Sequence, residues 1–245
     1  MSRIYTAEAE LYDIAFGWDV SEEADWLIER LGPECRTVLE PGCGSGRMLE
    51  ALAQRGLRVT GIDVSPEMLA LARARVGETG ELVQVDMIDF DLGRRFDGGV
   101  ALVSTLGLLS RAGLAGHLSA MARHLFQASR YLVQQGVFAG EAELWRSEWD
   151  AERGAVGLHV VWEAVARDHD RERSRSRIEI VAGPRAGEVV DELHTGTFWT
   201  VEAWRAAIAA SPFEQLACYD GGEAGRPRVE LEQGGSLLWH ELVVA

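Results

Sequence analysis

The sequence predicts an α/β fold: an open, largely parallel sheet flanked by helices, with antiparallel strands inserted in the C-terminal half. Three observations support this prediction. Residues 38–40 form a short apolar strand that leads into a glycine-rich loop, 42–46, and then into a helical pattern, 47–55. Apolar strand patterns continue to alternate with helical patterns as far as residue 135, which is typical of βαβ units. From residue 141 onward strand patterns follow one another directly, so we expect them to be antiparallel.

The length and charge of the chain limit what it can bind. At 245 residues it is long enough for one domain with a full hydrophobic core. A formal net charge of −15 argues against a nucleic acid as a partner, because contacts with phosphates need clustered cations. The one arginine-rich run, 167–177, is interrupted by acidic residues, and we interpret it as a solvated hairpin.

Cysteine usage and targeting signals indicate the compartment. Cys35, Cys43 and Cys218 are too few and too scattered for a disulfide framework or a metal site. The sequence shows no secretory signal pattern and no apolar run long enough to cross a bilayer, so we predict a cytoplasmic protein without membrane contact. Neither Lys nor Asn occurs. Because the codons of both are A-rich, we expect a GC-rich bacterial genome as the source.

The N-terminal segment, 1–35, is predicted to be helical apart from an aromatic patch at 11–18. Tyr12, Phe16 and Trp18 lie in this patch. They either cover one edge of the sheet as core residues or form a lid over a ligand site, and the sequence leaves both interpretations open.

The glycine loop has the spacing of a nucleotide-binding turn. Gly42, Gly44 and Gly46 stand at alternate positions, where glycine allows a sharp turn from strand to helix and lets a ligand lie on main-chain N–H groups. The dinucleotide fingerprint needs its third glycine one position later, where this chain has Arg47, and it lacks an acid at the position of Glu40. Glu40 is poorly suited to a pyrophosphate but well placed to bind an ammonium group. An NAD(P)-dependent oxidoreductase is therefore disfavoured.

Acidic residues end the second and third strands. Asp63 follows the first glycine by about 20 residues, the distance at which dinucleotide folds carry their ribose-binding acid. The alternative, a carboxylate that caps the following helix, is weaker because Ser65 already occupies the cap position, with Pro66 after it. Asp86 ends the third strand, 82–86. Asp63 is therefore expected to bind ribose hydroxyls.

The loop and the two acids together resemble the class I S-adenosylmethionine (SAM) dependent methyltransferases of the small-molecule type, whose first motif is an acid-x-Gly-x-Gly-x-Gly loop. The resemblance covers about residues 12–135. It implies a Rossmann-like sheet of seven strands, SAM as cofactor and S-adenosylhomocysteine as product. It also implies that Tyr12 and Asp13 belong to a segment that closes over the methionine end of SAM, and that Asp86 and the N–H of Met87 meet adenine. The positions expected to contact the cofactor are Tyr12, Glu40, Gly42, Cys43, Gly44, Gly46, Asp63, Val64, Met68, Asp86, Met87, Ser104 and Thr105.

The rest of the chain fits this resemblance in the order of its elements. Ser104 and Thr105 follow the fourth strand, at the sheet edge where ligands of open α/β sheets bind. A helix at 112–125 and a strand at 130–135 come next, joined without the Pro-Gly-Gly turn that is usual in the family. Three β segments, one helix capped by Thr200 and two last strands are then predicted, at 158–166, 175–182, 188–198, 201–210, 213–219 and 236–244.

We expect a single methyltransferase domain, 1–245, with four parts. These are an N-terminal lid segment, 1–35, a SAM-binding core, 36–140, an inserted β segment, 141–200, and the last helix and strands, 201–245. The inserted strands form either a wall of the acceptor site or a contact in a homodimer.

Methyl transfer from a sulfonium needs little catalytic apparatus, because the leaving group is neutral and the acceptor mainly has to be positioned. A general base matters chiefly when the acceptor is a hydroxyl or an acidic carbon. Among the six histidines, His194 is the candidate base because it lies near the end of the insertion, with a surface histidine as the alternative.

The other histidines and the tryptophans have plain structural interpretations beside the functional ones. His117, His124 and His240 fall within a helix or a strand and are expected to be structural. Trp18 and Trp199 are the candidates to face the acceptor. Three further tryptophans, like Trp199, either line an apolar acceptor pocket or fill the added layer: Trp145, Trp149 and Trp162.

The sequence therefore predicts a SAM-dependent enzyme that methylates a small molecule at a nitrogen, oxygen or carbon atom. A protein or RNA methyltransferase is one alternative, although the acidic balance disfavours RNA. A SAM-binding regulatory or partner protein without turnover is another. Asp63 and Asp86 favour cofactor binding but do not establish turnover.

Overall fold

The computed structural model describes residues 2–140 and 143–245. Twelve strands lie within these two ranges, and they form two separate sheets. In chain order the strands are β1 Thr37–Pro41, β2 Arg58–Asp63, β3 Gly80–Gln84, β4 Phe96–Ala101, β5 Leu125–Gln134, β6 Arg146–Arg153, β7 Val156–Asp168, β8 Arg171–Ala182, β9 Val189–Thr197, β10 Phe213–Asp220, β11 Arg228–Val229 and β12 Leu238–Val244.

The larger sheet has the strand order β3-β2-β1-β4-β5-β12-β10-β11. Strands β1 to β5 pair in parallel, whereas β12 is antiparallel to both β5 and β10. The predicted Rossmann-like sheet of seven strands is confirmed, with the two-residue strand β11 added at its edge. The winding direction reverses between β1 and β4, so a ligand crevice opens at the carboxyl ends of these two strands.

Helices cover both faces of this sheet. They are α1 Ala9–Ala15, α2 Ser21–Leu31, α3 Arg47–Gln54, α4 Pro66–Val76, α5 Arg111–His124 and α6 Val201–Ala209. Apolar side chains of α2, α3 and α4 join one core cluster, and those of α5 and α6 join a second cluster on the other face. No helix in the described ranges is long and apolar enough to span a membrane.

Two helices begin where the sequence predicts. Ser65 Oγ accepts a hydrogen bond from the N–H of Met68 at 3.1 Å, and Pro66 occupies the first turn of α4. Thr200 Oγ1 accepts from the N–H of Ala203 at 3.1 Å at the start of α6. Both are side-chain caps that satisfy a free N–H group of a helix N-terminus.

The second sheet is antiparallel and has the order β6-β7-β8-β9. Three β segments were expected here, and that number is wrong because β6 was missed. Its sequence, RSEWDAER, is charged at most positions and mostly exposed, so it carries no apolar alternation. Only its pairing with β7 makes it a strand. The second sheet buries its apolar face against α1 and the 3₁₀ turn Arg3–Tyr5.

The joint between α5 and β5 also differs from expectation. A turn was expected at 126–129, but β5 begins at Leu125, directly after α5. Ala128 takes a left-handed φ of 64° inside this strand. Ala128 is therefore a local irregularity within β5.

Candidate cofactor and acceptor site

The glycine loop turns from β1 into α3 through three left-handed residues. Gly42, Gly44 and Gly46 have φ of 65°, 52° and 77°. A Cβ on Gly42 would lie 2.5 Å from Thr105 Cγ2, and one on Gly46 would lie 3.0 Å from Ala72 Cβ. Nothing lies within 4 Å of a Cβ built on Gly44. The loop is therefore packed against the protein at both ends and open at its centre.

Asp63 ties this loop to the start of α4. Its Oδ2 accepts a hydrogen bond from the N–H of Gly44 at 2.9 Å, and its Oδ1 accepts from the N–H of Ser65 at 2.8 Å. The carboxylate thus takes part in the turn before α4 while Ser65 caps the helix. Each carboxylate oxygen has a second lone pair that stays available for a ligand hydroxyl.

Glu40 is a buried carboxyl group beside the loop. Its side chain is 5% exposed, and its Oε2 has no hydrogen-bond partner. Burial raises the pKa of Glu40 to about 8, with Asp63 and Glu23 acting in the same direction and Arg47 against them. An unpaired buried carboxyl oxygen is costly. A cation at this position would relieve the cost.

The end of β4 is strained. Val103 and Ser104 both have φ of 52°, a region that favours glycine. Gln134 on β5 holds the strained turn: its Oε1 accepts from the N–H of Val103 at 2.7 Å, and its main-chain oxygen accepts from the N–H of Ser104 at 3.1 Å. Strain of this kind concentrates at functional sites. Gln134 could not be identified from the sequence, because a polar residue at a strand end is common.

The positions after β2 and β3 are open to solvent. Asp86 is exposed, and its Oδ1 accepts from the N–H of Ile88 at 2.9 Å. The main-chain oxygen of Met87 bonds to Nδ1 of His117 at 2.8 Å. Val64 is also exposed. The residues that follow β2 and β3 thus form a solvent-accessible surface beside Asp63.

Two of the expected cofactor residues turn their side chains into the core. Cys43 is buried, and its Sγ would meet a Cβ on Gly61 at 2.7 Å. Met68 is buried as well and packs among the core side chains of the fold. The side chains of Cys43 and Met68 are therefore not exposed for contact with a ligand.

The N-terminal segment brings an aromatic cluster over the crevice. Tyr12 stacks on Phe16 with ring centroids 4.3 Å apart, and Tyr5 meets Tyr12 edge-on at 5.2 Å. Phe16 in turn contacts Trp149 and Trp162 of the second sheet at 5.6 and 5.4 Å. Burial raises the pKa of Tyr12 to about 12, so its hydroxyl is neutral at pH 7.

Asp13 fastens the same segment to both halves of the molecule. It is 3% exposed, and it pairs with Arg75 of α4 at 2.7 Å and with Arg153 of β6 at 2.5 Å. Burial by itself raises the pKa of Asp13, but hydrogen bonds from Ser45, Arg153 and Arg75 outweigh it and hold the pKa below its usual value. The segment 11–18 is thus clamped between the glycine loop and the second sheet.

His194 lies on the inner face of the second sheet. It is 9% exposed, its Nε2 bonds to Ser176 Oγ at 2.7 Å, and its ring stacks on Trp162 at 5.1 Å. Tyr5 lies 6.3 Å away, ring to ring. Burial lowers the pKa of His194. The alternative of a surface histidine is wrong.

The two tryptophans expected at the acceptor are placed very differently. Trp18 is 47% exposed, and the Arg47 guanidinium lies 4.6 Å above its ring. Trp199 is 1% exposed and packs edge-on against Trp204 within the main core. Trp199 therefore fills the core, and the expectation that it faces the acceptor is not met.

His117, His124 and His240 are buried inside the fold, as expected of structural residues. His117 and His240 are fully buried, and burial lowers the pKa of each to about 4. His124 accepts a hydrogen bond from the N–H of Leu92 at 2.8 Å. In the described part of the chain no three His, Cys, Asp or Glu side chains are grouped to hold a metal ion.

Comparisons with known proteins place this arrangement in a family. The family described as "Methyltransferase domain" matches residues 38–127. A dTDP-3-amino-3,6-dideoxy-alpha-D-glucopyranose N,N-dimethyltransferase of Streptomyces fradiae is 32% identical over 234 residues, which are 91% of this chain and 89% of the relative. The chain belongs to the methyltransferase family. The predicted class, a SAM-dependent methyltransferase of small molecules, is confirmed.

Two further similarities extend over the whole methyltransferase. A dTDP-3-amino-3,4,6-trideoxy-alpha-D-glucopyranose N,N-dimethyltransferase of Streptomyces venezuelae is 29% identical and covers 89% of this chain and 94% of its own. The crystal structure of Streptomyces venezuelae DesVI is 25% identical, with a TM-score of 0.81, and covers 97% and 98% of the two chains. Ubiquinone biosynthesis O-methyltransferases such as that of Pseudomonas paraeruginosa match over 64 residues, 26% of this chain.

The residues present at the crevice of this methyltransferase fit SAM. The open space at Gly44 and the unpaired Oε2 of Glu40 are the two features that a bound ligand with a positive charge would satisfy. Asp63 and Asp86 are accessible acceptors on the other side of the loop. The crevice is therefore consistent with a long ligand that has a polar, cationic end and a nucleoside end.

Proposed function

We propose that this methyltransferase transfers methyl groups from SAM to the amino group of a nucleotide-linked amino sugar. The observation that carries the proposal is the extent of the similarity. The Streptomyces fradiae and Streptomyces venezuelae relatives described above match along nearly the whole chain, and both are N,N-dimethyltransferases of dTDP-3-amino sugars. Ubiquinone biosynthesis O-methyltransferases match 26–35% of the chain. The similarity to the first of these relatives spans 91% of the chain and therefore includes the second sheet.

SAM supplies an electrophilic methyl group on a sulfonium. On the protein side, the glycine loop and Glu40 bind the amino-acid end, and Asp63 and Asp86 bind the ribose and adenine. The aromatic cluster around Tyr12 and Tyr5 excludes water from the space between loop and second sheet, where the acceptor amine has to reach the methyl carbon in line.

We assign the acceptor side to the second sheet. His194 is a neutral imidazole at pH 7 because burial lowers its pKa. A neutral imidazole has one nitrogen with a free lone pair, and that nitrogen can accept the proton that an amine loses after methylation. Ser176 and Trp162 orient the ring by a hydrogen bond and by stacking. His194 is thus the proposed proton acceptor, and Trp18 the exposed aromatic group at the entrance.

The compartment and assembly complete the proposal. All three cysteines are buried and free, which supports a reducing, cytoplasmic location. The acidic net charge supports an acceptor that is a small molecule and neither a nucleic acid nor a membrane. We also propose that the chain has four functional parts: the lid, the SAM-binding core, the inserted sheet, and the last helix with its strands. A homodimer formed through the inserted sheet stays a prediction, and analytical ultracentrifugation would test it.

The test is methylation of a matched pair of acceptors. Purified protein is incubated with SAM and dTDP-3-amino-3,6-dideoxy-α-D-glucopyranose, or with the sugar in which a hydroxyl replaces the amino group. Mass spectrometry should show one and then two added methyl groups on the amino sugar and none on the hydroxyl analogue. Methylation of the hydroxyl analogue, or of neither sugar, would contradict the proposal.

Two further variants distinguish a His194 that accepts a proton from a His194 that only packs in the second sheet. His194→Gln should lower kcat and move the acidic limb of the pH–rate profile while SAM affinity stays unchanged. Ser176→Ala should move the same limb by a smaller amount. If His194→Gln left both kcat and the pH profile unchanged, the imidazole would be a packing residue of the second sheet.

A further inference from the structure

Three ionisable side chains lie around the glycine loop. Arg47 is the first residue of α3, directly after the glycine loop. Glu40 lies on β1, and Glu23 lies in the first turn of α2. Glu40 and Glu23 both act on Arg47 electrostatically, in the direction that favours its charged form. They come from three different elements, so the tertiary fold alone groups them.

Arg47 has unused binding capacity. Its Nη1 donates a hydrogen bond to the main-chain oxygen of Trp18 at 3.3 Å, and its guanidinium lies 4.6 Å above the Trp18 ring. Within the described ranges it makes no ion pair with a carboxylate. Burial lowers the pKa of Arg47. A half-buried guanidinium without an anionic partner is suited to bind one.

Glu23 is held over the carboxyl ends of the sheet strands. Its Oε1 accepts a hydrogen bond from Nε2 of Gln134 at 3.1 Å, and Oε1 of Gln134 accepts from the N–H of Val103. Burial raises the pKa of Glu23, although Arg226, Arg47 and Gln134 oppose that effect. No hydrogen bond to Oε2 of Glu23 is found in the described structure. Glu23 therefore has one carboxylate oxygen fixed by the protein and one free.

Glu40 supplies the second carboxylate. Its Oε2 is buried and has no partner, as described above. Glu40 holds a proton in the free protein, because burial raises its pKa to about 8, and a cation beside it favours its ionised form. With Glu40 ionised, the two carboxylates and the guanidinium of Arg47 form the electrostatic complement of an amino-acid zwitterion. Adenosine is accounted for by Asp63 and Asp86 on the far side of the loop.

We infer that Arg47 binds the α-carboxylate of the methionine moiety of SAM, and that Glu23 joins Glu40 in binding its α-ammonium group. Arg47 stands where a dinucleotide fold carries its third glycine, so the same position that excludes a pyrophosphate provides the carboxylate anchor. Through Glu23, helix α2 also contributes to binding of the methionine moiety. The inference rests on the methyltransferase family and is independent of the acceptor.

Three ligands allow the carboxylate contact and the ammonium contact to be tested separately. S-adenosylhomocysteine carries both charges, S-adenosyl-3-thiopropylamine lacks the carboxylate, and 5′-methylthioadenosine lacks both. Isothermal titration gives the affinity of each ligand without turnover. Arg47→Met should weaken S-adenosylhomocysteine by about 10- to 100-fold, the usual scale of a charged hydrogen bond, and leave the other two ligands unchanged. Arg73→Met, an exposed arginine on α4, is the control.

Glu23→Gln tests the ammonium contact. The amide keeps an oxygen that accepts from Gln134, so the fold should be retained. S-adenosylhomocysteine and S-adenosyl-3-thiopropylamine should both bind about 10-fold more weakly, and 5′-methylthioadenosine should bind as before. Glu22→Gln, on the neighbouring exposed position, should change none of the three affinities.

Equal weakening of all three ligands by Arg47→Met would overturn the inference, because it would show a structural effect on the loop. Unchanged affinity for S-adenosylhomocysteine in either variant would overturn it as well. Circular dichroism of each variant shows that the fold is kept. Failure of the amino-sugar assay would leave these titrations interpretable, since no acceptor takes part in them.

Discussion

The carboxylate of Asp63 accepts a hydrogen bond from the N–H of Gly44, at 2.9 Å, across 19 residues of sequence. Asp63, the proposed ribose-binding acid, and Gly44, the centre of the glycine loop, are therefore directly connected. A change at either residue should act on cofactor binding through the other. The first two predictions follow from this contact.

Asp63→Ala should weaken S-adenosylhomocysteine by about 1.5–3 kcal/mol, the usual scale of hydrogen bonds to a charged group. The substitution removes the acceptor for ribose and also frees the N–H of Gly44. Asp63→Asn keeps one acceptor oxygen and should lose less. Isothermal titration measures both, with Asp89→Ala, an exposed acid before β4, as the control. Equal affinities of the wild type and Asp63→Ala for S-adenosylhomocysteine would show that Asp63 does not bind the cofactor.

Gly44→Val should abolish cofactor binding while the chain stays folded. Left-handed φ at a β-branched residue costs about 1–2 kcal/mol, but the added side chain points into open space. That space is where we place the ligand. Gly93→Val is a matched control, because Gly93 has φ of 66° and also has nothing within 4 Å of an added Cβ. Gly93→Val should lose a similar amount of stability and keep full affinity for the cofactor. If Gly44→Val still bound the cofactor, the glycine loop would not be the binding loop.

The lid interpretation predicts a change in hydrogen exchange. Binding of S-adenosylhomocysteine should slow exchange in residues 8–19, because lids come from the less stable parts of a fold. Asp13→Ala removes the clamp between Arg75 and Arg153 and should abolish this protection, at a cost of about 3 kcal/mol in stability. Protection confined to the glycine loop would make Tyr12 a core residue.

The affinity for S-adenosylhomocysteine should depend on pH through Glu40. Its pKa in the free protein is about 8, raised by burial. An ammonium group beside it favours the ionised form, so binding releases a proton at pH 7 and affinity should rise as pH increases from about 6 to about 8. Titration in buffers of different ionisation enthalpy counts the proton. Glu40→Gln should bind more weakly and show no such proton release.

Glu40 should also shape the stability of the free protein. Its folded-state pKa lies above the ordinary value of 4.5. The folded state therefore holds a proton that the unfolded state has lost, and the free energy of unfolding falls as pH rises through the interval between about 4.5 and 8. Thermal unfolding across this range should show a smaller decline for Glu40→Gln. An identical decline in both proteins would show that Glu40 is ionised when folded.

The sequence by itself determined the elements whose physical cause is local. Gly42, Gly44 and Gly46 identify the loop because only glycine takes three left-handed φ values so close together. Ser65 and Thr200 identify two helix starts because a cap acts within three residues. Asp63 and Asp86 could be placed because parallel strands end at one edge of the sheet.

Only the tertiary structure decided the contacts that close the site. Glu23 and Gln134 are separated by 111 residues, and Asp13 and Arg153 by 140. Strand β6 has no apolar alternation of its own and exists through its pairing with β7. Residues so far apart in the chain leave no periodic pattern in the sequence. Their side chains can bond to each other only after folding has brought the two sheets and the N-terminal segment together.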